Sequence, residues 1–351
     1  MVDQDKLEAF VGQMLNDLGG AFSVPLVRIG GKFDLYGTLE RGGAMTSDQL
    51  AHKTGLAERY LREWLSAQAA SNYLVYDPAT NAFSLPPEQA MVFANEESPV
   101  YMMGAFDCVA SNIQNQGAIE HAFKTGEGVQ WGDQPGCLFC GVAEFFRPGY
   151  LENLVEAWLP ALDGVVDKLK AGARVADVGC GHGISTVMMA EAFPNSEFIG
   201  YDFHERSIKE ARAHAGDHGV QNARFETALA KQFDGEGSFD LVCSFDCLHD
   251  MGDPAGAAAH IRDSLKPDGT WMIVEPIAAD ELEDNLNPIG RLLYSASTMV
   301  CVPTSLAQEV GAALGAQAGE AALRIVIAEG GFTNIRRATE TPFNMILEAR
   351  V

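Results

Sequence analysis

The chain has 351 residues, 48 acidic against 24 basic side chains, a formal net charge of −24 and 47% hydrophobic residues. That length exceeds one ordinary core, and the hydrophobic fraction is that of a globular protein with more than one domain. The surplus of acid repels polyphosphates and argues against free nucleic acid as a substrate, and no apolar run approaches the roughly 18 residues that span a bilayer.

Residues 1–8 are charged and lack the basic-then-apolar layout of a signal peptide, which predicts a cytoplasmic protein. Seven cysteines, an odd number scattered through apolar segments, fit reduced thiols in that compartment. Leu7, Phe10, Val11, Met14, Leu15 and Leu18 form a helical stripe, expected to end at Gly19-Gly20. Thr46-Ser47-Asp48-Gln49 reads as a capping box opening a short helix that Gly55 stops, and Ala57 to Ser71 reads as a second helix. Two short strands, Tyr73 to Tyr76 and Ala82 to Leu85, flank the turn Asp77-Pro78-Ala79-Thr80-Asn81. Helix, turn, helix and hairpin make a winged helix within residues 1–90. Its second helix matches Arg59 and Arg62 with Glu58 and Glu63, so it lacks the positive face that collects phosphates.

Residues 91–170 read as helices interrupted by one polar, glycine-bearing stretch, Lys124 to Gly136. Cys137 and Cys140 form a lone C-L-F-C pair with no second pair at ligand spacing, so they read as packing residues and no metal site is expected.

From Arg174 the chain reads R-V-A-D-V-G-C-G-H-G: a short apolar strand, then Gly179, Gly181 and Gly183 at alternate positions, then a helix from Ile184. Strand, glycine turn and helix open a Rossmann-like unit, in which backbone approaches a ligand closely. A second strand, Ser196 to Tyr201, is closed by Asp202, whose carboxylate suits two ribose hydroxyls or, alternatively, a helix N-cap. Ala223 to Glu226 is a third strand, leading to Leu229 and Ala230. Phe239 to Phe245, apolar on both faces, is a fourth, running into Asp246-Cys247-Leu248-His249-Asp250, with Asp253-Pro254 starting a helix. The turn Leu265-Lys266-Pro267-Asp268-Gly269 precedes a fifth strand, Trp271 to Val274, ending at Glu275. An insertion of about residues 278–320 follows, with a helix expected over Asn285 to Val300 as a lid. The last two strands are expected at Gly331-Phe332 and Thr341 to Glu348.

Asp177-x-Gly-x-Gly-x-Gly resembles motif I of the class I S-adenosylmethionine-dependent methyltransferases, with the third glycine one residue earlier than a dinucleotide fingerprint has it. The L-K-P-D-G crossover is similar to theirs, and Leu248-His249-Asp250 with Glu275 resembles the small-molecule O-methyltransferases in particular. The resemblance implies an α/β fold, a Rossmann-like methyltransferase sheet over residues 171–351, behind a mainly helical winged-helix domain that pairs subunits into a homodimer. Residues 91–170 would roof the active site. S-adenosylmethionine would be held by Asp177, Gly179, Cys180, Gly181, Gly183, Asp202, Phe203, Ala230 and Phe245. His249 would act as general base, oriented by Glu275 or Asp250, on a hydroxyl of an aromatic or lipid-like small molecule.

The chemistry fits those roles. Methyl transfer is an in-line displacement governed by positioning, and a hydroxyl needs its proton removed as it attacks. Such help is worth about 10² to 10⁴ in rate. The sequence departs from the family at Leu229, where an acidic residue usually meets the adenine amino group. Adenine would then rest on backbone near Ala230 and on Phe203. Rival readings are a methyltransferase acting on nitrogen or carbon, a ligand-sensing regulator using its winged helix on DNA, and a dehydrogenase.

Overall fold

Asp3 caps the first helix by accepting the Lys6 N–H at 3.2 Å in the computed structural model, which describes residues 1–351 apart from the side chain of Cys137. Helix α1 does not stop at Gly19-Gly20. It runs Gln4–Lys32, through both glycines and Pro25. A glycine inside a helix costs only about 1 kcal/mol, and packing of the second half outweighs it. Val24, Val27 and Gly30 are buried there, and a methyl group added at Gly30 would lie 2.5 Å from the Tyr36 ring and 2.7 Å from Trp64.

The chain divides into two compact units, residues 1–110 with 140–148, and residues 111–139 with 149–351. The first holds α2 (Leu35–Gly42), α3 (Ser47–Thr54), α4 (Glu58–Ala70), strands β1 (Val75–Asp77) and β2 (Ala82–Ser84), and α5 (Pro87–Phe93). The capping box forms as expected: Thr46 Oγ1 accepts from Gln49 N–H at 3.3 Å and Gln49 Oε1 from Thr46 N–H at 2.8 Å. Gly55, at φ +71°, ends α3 in the left-handed region. Tyr36 anchors the core, its ring 5.2 Å from Trp64 and 4.8 Å from Phe93, its hydroxyl donating to Gln68 Oε1 at 2.6 Å. With β1 and β2 antiparallel, this is the expected winged helix.

Helices α6 (Met103–Gln114), α7 (Gln116–Thr125) and α8 (Cys137–Asn153) follow. Cys140 is exposed rather than packed, because it lies on the outer side of α8; the side chain of Cys137 is outside the described residues. After α9 (Val165–Ala171), the second unit is built on β3 (Arg174–Val178), β4 (Glu197–Asp202), β5 (Ala223–Thr227), β6 (Phe239–Phe245), β7 (Leu265–Pro276), β8 (Asn334–Glu340) and β9 (Asn344–Arg350). Their order is β5-β4-β3-β6-β7-β9-β8, with β9 antiparallel to both neighbours and the other pairs parallel. Helices α10 (Ile184–Ala192), α11 (Glu205–Asp217), α12 (Pro254–Ser264), α13 (Pro288–Ala296), α14 (Val302–Leu306) and α15 (Gly319–Glu329) complete it. Val178, Ile199, Val242 and Ile273, one from each central strand, are at most 1% exposed. Among the described residues, no helix is long and apolar enough to cross a membrane.

Three local expectations are corrected. The L-K-P-D-G segment belongs to β7: Phe239 pairs with Leu265 and Leu241 with Thr270, so the intervening residues bulge out of the ladder. The penultimate strand is Asn334–Glu340, not Gly331-Phe332; as an edge strand carrying Arg336, Arg337 and Glu340 it shows no apolar alternation. Helix α13 starts at Pro288, not Asn285. Asn287 caps it, accepting from Gly290 N–H at 2.9 Å, while buried Asn285 ties the preceding loop through Ala279 N–H at 2.9 Å.

The Gly30 contact gives a direct test of the long α1. Gly30→Ala is expected to destabilise the protein by about 1–3 kcal/mol in urea unfolding, through overpacking against Tyr36 and Trp64. An unchanged midpoint would show that the helix does not pack there.

Candidate functional site

The chain leaves β3 through Gly179, Gly181 and Gly183, with φ of +82°, +52° and +74°. A side chain is excluded at Gly179 by Cys247 Sγ, 2.7 Å from where a Cβ would stand, and at Gly183 by Phe225 at the same distance. Nothing lies within 4 Å of such an atom at Gly181, so this glycine faces open space. The turn is fastened to β4: the N–H groups of Gly179 and Cys180 donate to Tyr201 O at 2.8 and 3.1 Å. Cys180 is buried.

Two carboxylates hold this turn. Asp177, 1% exposed, accepts from Ser185 Oγ at 2.7 Å and Thr186 Oγ1 at 2.6 Å, both through Oδ2. Its Oδ1 is buried and has no partner, and burial pushes the carboxyl up to about 6. Asp202 accepts from Gly181 N–H at 3.0 Å through Oδ2 and from His204 N–H at 2.8 Å through Oδ1. Burial raises its pKa too, against the pull of those two N–H groups. The N-cap of α11 is His204, so Asp202 serves the glycine turn as well as the helix start. Phe203 and Leu229 are exposed, and Ala230 is half-buried.

Residues 131–139 cover the turn after β4, a contact the sequence did not reveal. The Phe139 ring lies 4.6 Å from His204 and 5.3 Å from Trp131. The glycine-bearing composition of 124–136 marked a loop without naming its partner. Phe245, 6% exposed, is walled by Tyr150 at 5.3 Å and Trp158 at 6.4 Å between ring centres. Asp246 was also missed. It sits at φ +49°, uncommon for a residue with a side chain, with Oδ1 accepting from Asn344 Nδ2 at 2.8 Å and Oδ2 buried without a partner.

Beyond β6 a short turn, Leu248–Asp250, presents the imidazole. His249 is 4% exposed and Glu275 1%. His249 Nδ1 lies 2.5 Å from Glu275 Oε2, while Glu275 Oε1 accepts from Leu248 N–H at 2.9 Å. That bond assigns one ring hydrogen to Nδ1 and makes Nε2 the nitrogen that gains or gives up the second proton. Asp250 stands on the opposite side, its Oδ1 3.2 Å from Nε2, so Glu275 and not Asp250 orients the ring. Burial opposes charge on the ring, but the carboxylates of Glu275 and Asp250 outweigh it and hold its pKa well above the usual value.

Residues 301–315 strap this turn in place. Gln308 Nε2 donates to Asp250 O at 3.0 Å, Ser305 Oγ to Met251 O at 2.8 Å, and Ala312 N–H to Gly252 O at 2.8 Å. Lys231 joins Asp253 at 3.1 Å to Glu309 at 2.7 Å across the same strap.

Comparison with known proteins finds likenesses for both parts of the chain. Residues 169–328 match the family described as Methyltransferase domain, and residues 21–95 match the Rv2258c-like winged HTH domain. The ubiquinone biosynthesis O-methyltransferase of Leptothrix cholodnii is 30% identical over 151 residues, 42% of this chain and 58% of that protein. Trans-aconitate 2-methyltransferase of Deinococcus radiodurans is 32% identical over 114 residues, 32% of this chain and 42% of the relative. The chain spans about half the length of the curated relatives it matches. Among solved structures, human N-acetylserotonin methyltransferase superposes with a TM-score of 0.70 at 15% identity, covering 97% of each chain. The mitomycin 7-O-methyltransferase gives 0.69 at 19% identity, over 99% of this chain and 100% of that one. The shared fold is that of class I methyltransferases.

Asp177 yields a prediction of definite sign. With its pKa near 6 in the fold and about 3.9 unfolded, its stability contribution is full below pH 4 and lost as pH rises through 6. Asp177→Asn is therefore expected to stabilise the ligand-free protein by about 2–3 kcal/mol at pH 8 and by about half as much at pH 5, read from urea melts. A gain independent of pH would overturn the buried-charge account.

Proposed function

We propose that this chain, whose residues 169–328 form a methyltransferase domain and 21–95 an Rv2258c-like winged HTH domain, transfers a methyl group from S-adenosylmethionine to a small molecule. The acceptor group is a hydroxyl, on an aromatic or lipid-like compound. One observation carries the reading: the glycine turn and the Glu275-held imidazole stand at the carboxyl ends of adjacent strands, β3 and β6. Open α/β sheets bind ligands in that crevice.

The residues present fit the cofactor. The orphaned Asp177 Oδ1 calls for a donor, which the ammonium of a methionine moiety supplies. Gly181 leaves the room that a side chain would take. Each Asp202 oxygen accepts one backbone N–H and retains a lone pair for a ribose hydroxyl. Phe203, Leu229 and Ala230 offer adenine an apolar rim, without the acid that related enzymes bring, and Cys180, Gly183 and Phe245 shape the walls. When bound, the cofactor supplies an electrophilic methyl on a sulfonium.

The chain's own residues do the rest. His249 Nε2 receives the acceptor's proton while Glu275 keeps hydrogen on Nδ1 and stabilises the imidazolium that forms. Asp250, beside Nε2, adds to that stabilisation. Tyr150 and Trp158 wall Phe245 from behind, and the 301–315 strap holds the turn that carries His249.

The winged helix serves pairing of subunits rather than DNA. Arg59 and Arg62 are taken up by Glu63 at 2.6 Å and Glu58 at 2.8 Å. On α1, Phe10, Leu15, Leu18 and Phe22 are 56–73% exposed, an apolar stripe that its own unit leaves uncovered.

Calorimetry with S-adenosylhomocysteine tests the cofactor site: wild type binds, Gly181→Val does not, and NADH does not. In His249→Ala, binding persists and turnover falls by about 10² to 10⁴. Full turnover there would move the reaction to a nitrogen or carbon acceptor. Sedimentation should show a dimer that Phe10→Gln with Leu15→Gln and Phe22→Gln converts to monomer; a monomeric wild type refutes the pairing role.

A further inference from the structure

Glu275 turns His249 so that its second nitrogen faces two more donors. Nε2 lies 3.2 Å from Asp250 Oδ1, and Cys301 Sγ joins them, the three atoms all within 4.8 Å of one another. His249 and Cys301 are 4% and 7% exposed, and Asp250 Oδ1 is buried with no well-formed hydrogen bond. With hydrogen on Nδ1, a lone pair and a carboxylate oxygen face each other across that gap. Such a pair is stable only with a cation between them, either a proton or a metal ion. The thiol adds a third donor for which a single proton has no use.

We propose that His249 Nε2, Asp250 Oδ1 and Cys301 Sγ form a three-ligand site for zinc, whose occupancy switches the enzyme off. The donor set selects the ion: one imidazole, one thiolate and one carboxylate suit zinc, whereas magnesium and calcium call for oxygen alone. Ligands of tetrahedral zinc, at bonds of about 2.0–2.3 Å, stand about 3.3–3.8 Å apart, so modest side-chain shifts close the cluster. Glu275 already occupies the place of the outer carboxylate that fixes a metal-binding histidine. The donors come from two segments that are tied together, the 249–250 turn and the 297–301 π-turn leading into the strap, through Gln308 and Ser305. Binding forms zinc–sulfur, zinc–nitrogen and zinc–oxygen bonds, and the thiol proton and the proton held between Nε2 and Oδ1 leave to solvent.

The switching part rests on the proposed function. Zinc takes the lone pair that would receive the acceptor's proton, so a loaded protein retains the cofactor site and loses the base. Only Cys301 is needed for the metal and not for the reaction.

The metal-stripped full chain is titrated with zinc against a chromophoric chelator, and with cobalt to record thiolate-to-metal charge transfer. One equivalent should bind, with a charge-transfer band. Cys301→Ser should abolish the band and weaken binding by roughly 100-fold or more, beyond the 10- to 100-fold of an outer partner. Cys140→Ser, at the exposed cysteine, should change neither. In the methyl-transfer assay, zinc should inhibit wild type reversibly by chelator, and Cys301→Ser should keep basal turnover and resist zinc. Binding that survives Cys301→Ser in folded protein, or no stoichiometric binding, overturns the site. Binding without inhibition overturns the switch, and an inactive protein that still binds zinc through Cys301 overturns the transferase reading alone.

Discussion

Strand β3 pairs in parallel with β4 on one side and β6 on the other, and the site follows from that pairing. The chain crosses from β3 to β4 and β5 in one direction, then returns past β3 to lay down β6 and β7. Where the two directions part, no crossover covers the carboxyl ends of the strands. The glycine turn fills one side of this crevice and the Leu248–Asp250 turn the other. Every residue proposed for cofactor or catalysis stands at, or just beyond, the carboxyl end of a strand. Their relative positions are set by backbone ladders rather than by flexible loops.

The crevice is rich in buried acid. Asp177, Asp202, Asp246 and Glu275 converge there, with His204 facing Asp202 and His249 facing Asp246 and Glu275 as compensating groups. Burying ionised groups costs stability unless partners are supplied. Ser185 and Thr186 satisfy half of Asp177, backbone N–H groups half of Asp202, Asn344 half of Asp246. Each is left with unused accepting capacity, suited to cationic and hydroxylated ligands. Unsatisfied buried acid lowers stability at the place proposed to meet a sulfonium cofactor, a division of labour common at active sites.

In the first unit the same composition works differently. A winged helix on a chain of net charge −24, with its arginines engaged by glutamates on their own helix, has no phosphate-collecting face. Its unspent surface is instead the apolar flank of α1, which a second chain of the same kind can bury.

Local signals in the sequence were sufficient for much of this. The positive-φ glycines, the capping box at Thr46 to Gln49, Asp253 at the start of α12, which accepts from Gly256 N–H at 2.9 Å, and the apolar central strands are each decided within a few residues, by sterics, hydrogen bonding and period. They determined a Rossmann-like sheet behind a winged helix and brought Asp177, Asp202, His249 and Glu275 into view. The length of α1, the bulge in β7 and the edge strand β8 depended on packing and pairing with distant segments. So did the partition of roles between Glu275 and Asp250, adjacent in expectation but on opposite sides of the ring. Cys301 reaches His249 only because the strap folds back over the turn, and its 52-residue separation carries no spacing signal. Local sterics fixed which elements form; tertiary packing alone fixed which side chains meet.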